Sequence, residues 1–423
     1  MEVSLSGVTK LNAEPPSSNR GHDHLHSIMS PNRSVENFQK LLANWPEDAF
    51  WAKAKHPGSW FSSAARAALC RAFRTGAIAE YAPRSPRPVP LKVGFGPRTN
   101  WNSFYQSGER VAELLDQDPR FECGFFDRDP FSLEELSRYD VLVVIKHYPP
   151  LDILAELKRR GKVLILDWHD RALYPSFYER KLARKFLISR SKAEANVKES
   201  LRMFDCCFVA SPIIFDAALS IGARPHFLQR QLFNHGNEFN YKTANGKKDR
   251  LVIYWTGIGE NQKQNEAILP VLRRLHDEFY CRIVYSSDAK GDVPFVEYRT
   301  WNRDAWEEEL VQADVAFRWR DDSEAQRLKD ANKVMAYMAA GLPVVCNPTA
   351  SEKLVMEDGV TGTMAYSPAE FEQKMVELIT HPRLRALIGK AAHDEMWSRY
   401  SLRQQVEGIK GILLDLAEDK VSR

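Results

Sequence analysis

The stretch LKDANKVMAYMAAGLPVVCNPTASEKLVMEDGVTG, from Leu328 to Gly362, decides the fold. Its residues Asn332 to Ala340 are rich in Ala and Met, as helices often are. Gly341 stands where a helix C-cap needs a residue with positive φ, and Pro343 prevents the helix from continuing. The run from Pro343 to Cys346 is short and apolar, which is typical of a buried parallel strand. The stretch therefore predicts a helix joined to a buried strand by a very short connection.

Two lysines lie at the front of this predicted helix. Lys329 and Lys333 are four residues apart, at or just before its first turn. A helix N-terminus carries partial positive charge, so two lysines there are unfavourable unless an anion lies between them. The free N–H groups of the first turn would add hydrogen-bond donors, and a diphosphate would fit. Spacing alone favours the simpler interpretation, which is that both lysines are solvated surface charges.

Three segments, in order along the chain, resemble one family. NKVMAYMAAGLPVVC followed by EDGVTG is similar to the donor-site segment of GT-B glycosyltransferases, notably those of family 4. YWTGIGENQKQNEAILPVLRRL resembles the opening strand, loop and helix of the same domain. WNRDAWEEELVQADVAFRWRDD resembles the segment between them and carries the family's Ala-Asp pair at Ala313 and Asp314. The resemblance implies an α/β protein of GT-B architecture, with two Rossmann-like domains and a cleft between them.

The resemblance also implies an activity. A hexosyltransferase of this kind moves a sugar from a nucleoside diphosphate donor to a glycan, lipid or small-molecule acceptor, as in polysaccharide biosynthesis, with retention of anomeric configuration. No cofactor and no metal are expected, because Lys329, Lys333 and the helix N-terminus would stabilise the charge on the leaving diphosphate. Gly257 and Gly259, in the loop TGIGEN, would allow the backbone to approach a phosphate.

Composition shifts divide the chain into five parts. Residues 1–33 are polar and are expected to form a disordered tail. Residues 34–90 contain two helical stretches, which we interpret as an added helical extension, and end in the proline-rich linker PRSPRPVP. A Rossmann-like acceptor domain is expected over 91–240 and a nucleotide-sugar domain over 250–395. The last part, 396–423, is expected to be a helix that crosses back to the N-terminal domain.

The N-terminal half offers further candidate site residues. A strand opens at Leu91, and the loop after it, GFGPRTNWNSFYQSG, carries Arg98 and Asn100. In a doubly wound sheet this loop faces the ligand crevice, so both residues are candidates for phosphate contact, with a solvent-facing loop as the alternative. His169 follows the strand in KVLILDWHD, and the resemblance implies that it reaches the donor sugar. The alternatives are a structural histidine that caps a loop, or Asp167 as the functional residue.

The sequence departs from the family at three positions. Many retaining GT-B enzymes carry glutamates where this chain has apolar residues, namely Leu328, Ala336 and Leu354. Three nearby acids could take over one of these roles after a shift of the loop, namely Asp321, Asp322 and Glu324. The departures leave two alternatives open. One is a non-catalytic interaction protein that docks through the helical extension, and the other is a nucleotide-sugar epimerase with carboxylates in the cleft.

Composition and charge limit the classes of partner and the cellular compartment that we expect for this protein. The net charge of +3 over 423 residues does not suggest a nucleic-acid-binding protein. No apolar run approaches the ~20 residues that span a bilayer, and no secretory signal is visible. Six cysteines without ligand-like spacing indicate free thiols, so a cytoplasmic location is expected. The stretch 178–202 holds eight Lys and Arg against three Glu, which is typical of peripheral contact with the inner membrane face, or of a solvated helix face.

Overall fold

The computed structural model describes residues 89–99, 102–127, 131–169, 190–228 and 250–421. All described residues lie within one compact unit, Leu69–Arg423. The predicted tail, nearly all of the helical extension, Asn100 and residues 178–189 of the basic stretch lie outside the described residues.

The first sheet follows from short apolar runs. Its six strands are β1 (Leu91–Gly96), β2 (Phe121–Phe125), β3 (Val141–Ile145), β4 (Val163–Trp168), β5 (Cys206–Val209) and β6 (Pro225–Phe227). They are all parallel, in the order β2-β1-β3-β4-β5-β6. Every residue of β3, β4 and β5 is buried, as expected where helices cover both faces of a parallel sheet. The order reverses between β1 and β3, and such a reversal creates a crevice at the carboxyl ends of the strands.

The helices of this domain connect the strands. They are α1 (Asn102–Phe104), α2 (Arg110–Leu115), α3 (Leu133–Leu136), α4 (Leu151–Arg159), α5 (Arg190–Met203) and α6 (Pro212–Ser220). Between α1 and α2 the chain forms a π-helix over Tyr105–Glu109. Single π-turns of this kind occur often at functional sites, because the wider turn redirects side chains.

The second sheet is also fully parallel. Its strands are β7 (Val252–Thr256), β8 (Arg282–Ser287), β9 (Val296–Thr300), β10 (Val315–Arg318), β11 (Val344–Cys346) and β12 (Thr363–Met364). Their order is β12-β11-β10-β7-β8-β9, so the order reverses between β10 and β7. Ligands of open α/β sheets bind at such a reversal, beyond the carboxyl ends of the two strands. The prediction of two Rossmann-like α/β domains is confirmed.

The helices of the second domain begin after a 3₁₀ segment over Gly259–Ile268. They are α7 (Leu269–Glu278), α8 (Trp306–Gln312), α9 (Glu324–Arg327), α10 (Asn332–Ala339), α11 (Ala350–Val355), α12 (Pro368–Thr380) and α13 (Pro382–Arg399). Gly341 has φ 73°, which confirms the predicted cap of α10. Lys333 is the second residue of α10, but Lys329 lies in the loop before it. The predicted start of the helix at Asn332, with Lys329 just before its first turn, is therefore confirmed.

The final helix, α14 (Leu402–Val421), is part of the first domain. Its apolar side chains, Val406, Ile409 and Leu413 among them, pack in one core with residues of β1 and β3. The helix before it, α13, packs instead against α10, and the indole of Trp397 donates a 3.0 Å hydrogen bond to the carbonyl oxygen of Ala339. The chain thus returns to the first domain after Arg399. In the described part of the chain, no helix combines the length and hydrophobicity that crossing a bilayer requires.

Candidate functional site

The end of β7 and the start of α10 meet at the reversal of the second sheet. The Nζ of Lys333 donates a 3.1 Å hydrogen bond to the carbonyl oxygen of Thr256, the last residue of β7. The N–H of Thr256 donates to the hydroxyl oxygen of Tyr337, one turn further along α10, at 2.9 Å. Both backbone groups of Thr256 are therefore bound by α10. These bonds fix the N-terminus of α10 beside the loop after β7.

The two glycines of that loop, Gly257 and Gly259, pack closely against neighbouring residues. The N–H of Gly257 donates to the carbonyl oxygen of Ser286, and the N–H of Gly259 donates to a carboxylate oxygen of Asp288. A Cβ on Gly257 would lie 2.5 Å from the ring of Trp255 and 3.2 Å from the Nζ of Lys333. Glycine at this position leaves room for that amine. The predicted phosphate approach at both glycines stays a prediction.

Two arginines lie beneath the same helix N-terminus. Arg318 ends β10 and is 2% exposed, and Arg320 follows two residues later and is 4% exposed. The Nη2 of Arg320 donates to the carbonyl oxygen of Asp330 at 2.8 Å and to a carboxylate oxygen of Glu352 at 2.6 Å. The Nε and Nη1 atoms of Arg318 are buried and have no hydrogen-bond partner among the described residues. Arg320 is therefore paired directly with a carboxylate, although its Nε is also buried without a hydrogen-bond partner, whereas Arg318 has no direct ion pair among the described residues.

The arginines and lysines interact electrostatically. Burial, and then the charge of Arg320, lowers the pKa of Arg318 from its usual value, although an arginine keeps its proton in proteins. Burial also lowers the pKa of Lys333 well below its usual range, and Arg318, Arg320 and Lys329 act in the same direction. The carboxylate of Asp330 opposes this shift. The site thus holds a surplus of positive charge in a poorly solvated place, which is the environment that an anion would stabilise.

His169 lies where the two domains meet. It follows β4 and is buried, and its Nε2 lies 2.8 Å from both the Oγ of Ser107 and a carboxylate oxygen of Asp167. Its Nδ1 is 4.0 Å from a carboxylate oxygen of Asp330, in the second domain. The imidazole is therefore held by the first domain and faces the loop that precedes α10.

The π-helix supplies a second contact between the domains. Ser107 belongs to this segment, and so does Tyr105, whose ring lies under the guanidinium of Arg303 with 4.6 Å to the ring centroid. Arg303 lies in the loop after β9. The Nη1 of Arg110 donates a 3.3 Å hydrogen bond to the hydroxyl of Tyr105 and so helps to orient the ring. One segment thus contacts both His169 and the second domain.

Arg98 does not contact Lys333 or His169. Its side chain is exposed, pairs with Asp127 at 3.8 Å and donates to the carbonyl oxygen of Phe125 at 3.3 Å. Its contacts are with the end of β2 and not with Lys333 or His169. The phosphate contact expected for Arg98 stays a prediction, as does that of Asn100, which lies outside the described residues.

The acids near the site are not those expected from the family pattern. The residues in place of the family's glutamates are buried in the apolar interior, namely Leu328, Ala336 and Leu354. Asp321 and Asp322 are exposed, and the side chain of Glu324 is not among those described. The acids that contact the cations are instead Asp330 and Glu352. In the described part of the chain, no three His, Cys, Asp or Glu side chains converge as metal ligands would.

Sequence reasoning missed Arg318, Arg320, Ser107 and Glu352. The two arginines did leave a signal, because charges two residues apart at the end of an apolar strand point to one face of a sheet. Glu352 forms a capping box with Thr349, so its position in the sequence indicates a helix start and conceals the contact with Arg320. Ser107 left no signal that separates it from other loop serines.

Comparisons with known proteins agree with this geometry. Residues 308–411, which include β10, α10 and β11, match a family described as glycosyl transferase-like. No curated protein matches the sequence. Three solved structures share the fold over 77–78% of this chain. Anabaena HepE, in complex with UDP and glucose, is 13% identical, with a TM-score of 0.56 and 100% of its chain covered.

The other two structures are a glycosyltransferase and a synthase. The glycosyltransferase from Rickettsia africae is 11% identical, with a TM-score of 0.58 and 99% of its chain covered. Sucrose-phosphate synthase from Thermosynechococcus elongatus is 9% identical, with a TM-score of 0.54 and 99% of its chain covered. The predicted GT-B architecture is confirmed. The assignment to family 4 stays a prediction.

Proposed function

We propose that this protein is a glycosyltransferase that moves a sugar from a nucleoside diphosphate donor to an acceptor held mainly by the first domain. The observation that carries the proposal is the surplus of buried positive charge at the reversal of the second sheet. The Nε and Nη1 of Arg318 are buried without a hydrogen-bond partner among the described residues, and Lys333 lies in the first turn of α10 beside it. A diphosphate supplies the negative charge that this arrangement lacks.

The proposed roles follow from position. Lys333, Lys329 and the N-terminus of α10 bind the diphosphate and stabilise the charge that develops on it as the sugar leaves. His169 reaches the sugar from the first domain. We further propose hexosyl transfer with retention and without a metal, with Gly257 beside the phosphates.

The solved relatives support the donor class. HepE was crystallised with UDP and glucose, and the name of sucrose-phosphate synthase describes the joining of sugars. A carbohydrate or lipid-linked acceptor is our proposal for this chain. Peripheral contact of residues 178–202 with an anionic membrane also stays a proposal, because only 190–202 of that stretch lie among the described residues.

A ligand screen followed by an activity assay tests the function. Thermal unfolding of the full chain is measured with UDP, GDP, ADP and dTDP and with their sugars. One nucleotide is expected to raise Tm by several degrees, since a ligand present at ~100 times its Kd adds about 2.7 kcal/mol. Release of that nucleotide from its sugar is then measured. Stabilisation without any release, with a broad panel of acceptors, would favour the non-catalytic alternative.

Replacing His169 separates chemistry from binding. His169→Ala is expected to lower turnover by about tenfold, the equivalent of one lost hydrogen bond to the sugar, and to leave binding of the bare nucleoside diphosphate nearly unchanged. The reason is that His169 belongs to the first domain, whereas the proposed diphosphate site belongs to the second. Steady-state kinetics and calorimetric titration measure the two quantities.

Ser107→Ala is the matched variant, because it keeps the imidazole and removes one of its hydrogen-bond partners. A smaller loss of turnover is expected for it than for His169→Ala. If His169→Ala unfolds, or if it loses nucleotide binding by as much as it loses turnover, His169 is structural.

A further inference from the structure

The amine of Lys333 lies among more positive than negative groups. Arg318 approaches it from β10, Arg320 from the loop that follows, and Lys329 from the loop before α10. Of the two nearby carboxylates, Glu352 of α11 is bonded to Arg320, and Asp330 faces His169 as well as the cluster. Two neutral groups complete the surroundings, namely the ring of Trp255, 5.9 Å from Nζ, and the hydroxyl of Tyr337.

Hydrogen bonding does not require Lys333 to be charged. Its Nζ donates to the carbonyl oxygen of Thr256, and a neutral amine can also donate that bond, although more weakly than an ammonium. A second positive charge beside Arg318, whose Nε and Nη1 have no hydrogen-bond partner among the described residues, would be unfavourable at a side chain that is only partly exposed. An arginine retains its proton in proteins. Lys333 is therefore the group that gives up its proton when no anion is present.

We propose that a nucleoside diphosphate binds this site together with one proton, which Lys333 takes up, and that Arg318 is the buried cation that makes this uptake necessary. The inference rests on the proposed function. A bound diphosphate adds negative charge next to Nζ and so favours the ammonium form. The pKa of Lys333 is low without ligand and rises with it, so the complex holds more protons than its separate parts, and binding weakens as pH rises.

Calorimetry measures the proton directly. The nucleoside diphosphate that stabilises the full chain is titrated, at one pH, in buffers of high and low ionisation enthalpy. The slope of the observed binding enthalpy against the buffer enthalpy gives the number of protons exchanged. The work is done between about pH 7.5 and 9, where the ligand is already ionised because its second phosphate pKa is about 6. An uptake between about 0.5 and 1 proton per ligand is expected in the wild type.

Three variants assign that proton. Lys333→Arg stays charged at every pH used, so it is expected to bind the diphosphate with no proton uptake. Arg318→Met removes the charge that drives the proton off Lys333, so the uptake is expected to fall by at least half even though the lysine is present. His169→Ala is the matched control, because it removes another ionisable side chain that faces Asp330, and it is expected to keep the full uptake.

The outcomes separate the two proposals. If no nucleoside diphosphate binds, the proposed function fails. If one binds to the wild type without proton uptake, the function stands and this inference is wrong. Uptake that persists in Lys333→Arg, or that disappears in His169→Ala, also overturns the inference. Should Arg318→Met fail to fold, the wild type and Lys333→Arg still decide whether Lys333 takes up the proton, and Arg318→Lys, which lacks the permanently charged guanidinium, tests the role of Arg318.

Discussion

Lys333→Ala is expected to weaken binding of the nucleoside diphosphate by about tenfold to a hundredfold, and binding of the monophosphate much less. A charge-assisted hydrogen bond of the kind proposed between Nζ and the diphosphate contributes roughly 1.5–3 kcal/mol. The monophosphate places less charge beside the amine and so loses less. Calorimetric titration of wild type and variant with both ligands measures the difference.

Two controls accompany this variant. Without ligand, its free energy of unfolding is expected to fall by only about 1 kcal/mol, because the variant loses one hydrogen bond, from the uncharged amine to the carbonyl oxygen of Thr256. Lys390→Ala removes an exposed lysine of α13 and is expected to leave nucleotide binding unchanged. Equal losses for diphosphate and monophosphate, or strong destabilisation without ligand, would mean that Lys333 does not bind the diphosphate.

Glu352→Ala is expected to lower the free energy of unfolding by about 3–5 kcal/mol. The carboxylate is fully buried and accepts hydrogen bonds from Arg320 and from the N–H of Thr349. Among the described residues, its removal leaves the guanidinium of Arg320 buried with the carbonyl oxygen of Asp330 as its one hydrogen-bond partner, and it also removes half of the capping box of α11. Chemical denaturation followed by circular dichroism measures the loss.

Glu372→Ala is the matched control for this effect. Glu372 also pairs with an arginine, Arg274, but both side chains are substantially exposed. Solvent screens such pairs, so the control is expected to lose less than about 1 kcal/mol. If Glu352→Ala is as stable as Glu372→Ala, the buried pair does not hold the loop before α10 in place.

The fold was predictable because its signals are local. Runs such as Val141–Ile145 are apolar throughout, which distinguishes strands covered on both faces from half-exposed ones. Gly341 and Pro343 mark the end of α10 within three residues of sequence. The start of α10 at Asn332 agrees with the prediction although no capping side chain marks it, since Ala331 is the N-cap.

The site was predictable only in part, because its contacts are distant in sequence. Ser107 and His169 are 62 residues apart, and Arg320 and Glu352 are 32 apart. The charge on Lys333 depends on Arg318, which only the sheet topology brings beneath α10. Sequence patterns identified the lysine as a candidate, but the surplus of charge around it appears only when β7, β10 and α10 are assembled.

The return of α14 to the first domain restricts how the cleft can open. The chain crosses between the sheets twice, once between β6 and β7 and once between α13 and α14. Two domains joined by two chain segments rotate most easily about the line that passes through both segments. A rotation that parted the two domains would separate Tyr105 from Arg303 and His169 from Asp330, because these pairs join one domain to the other. Entry of the donor and exit of the spent nucleotide are therefore expected to break these two contacts in every turnover. The strength of the contacts would then set the rate at which the cleft opens.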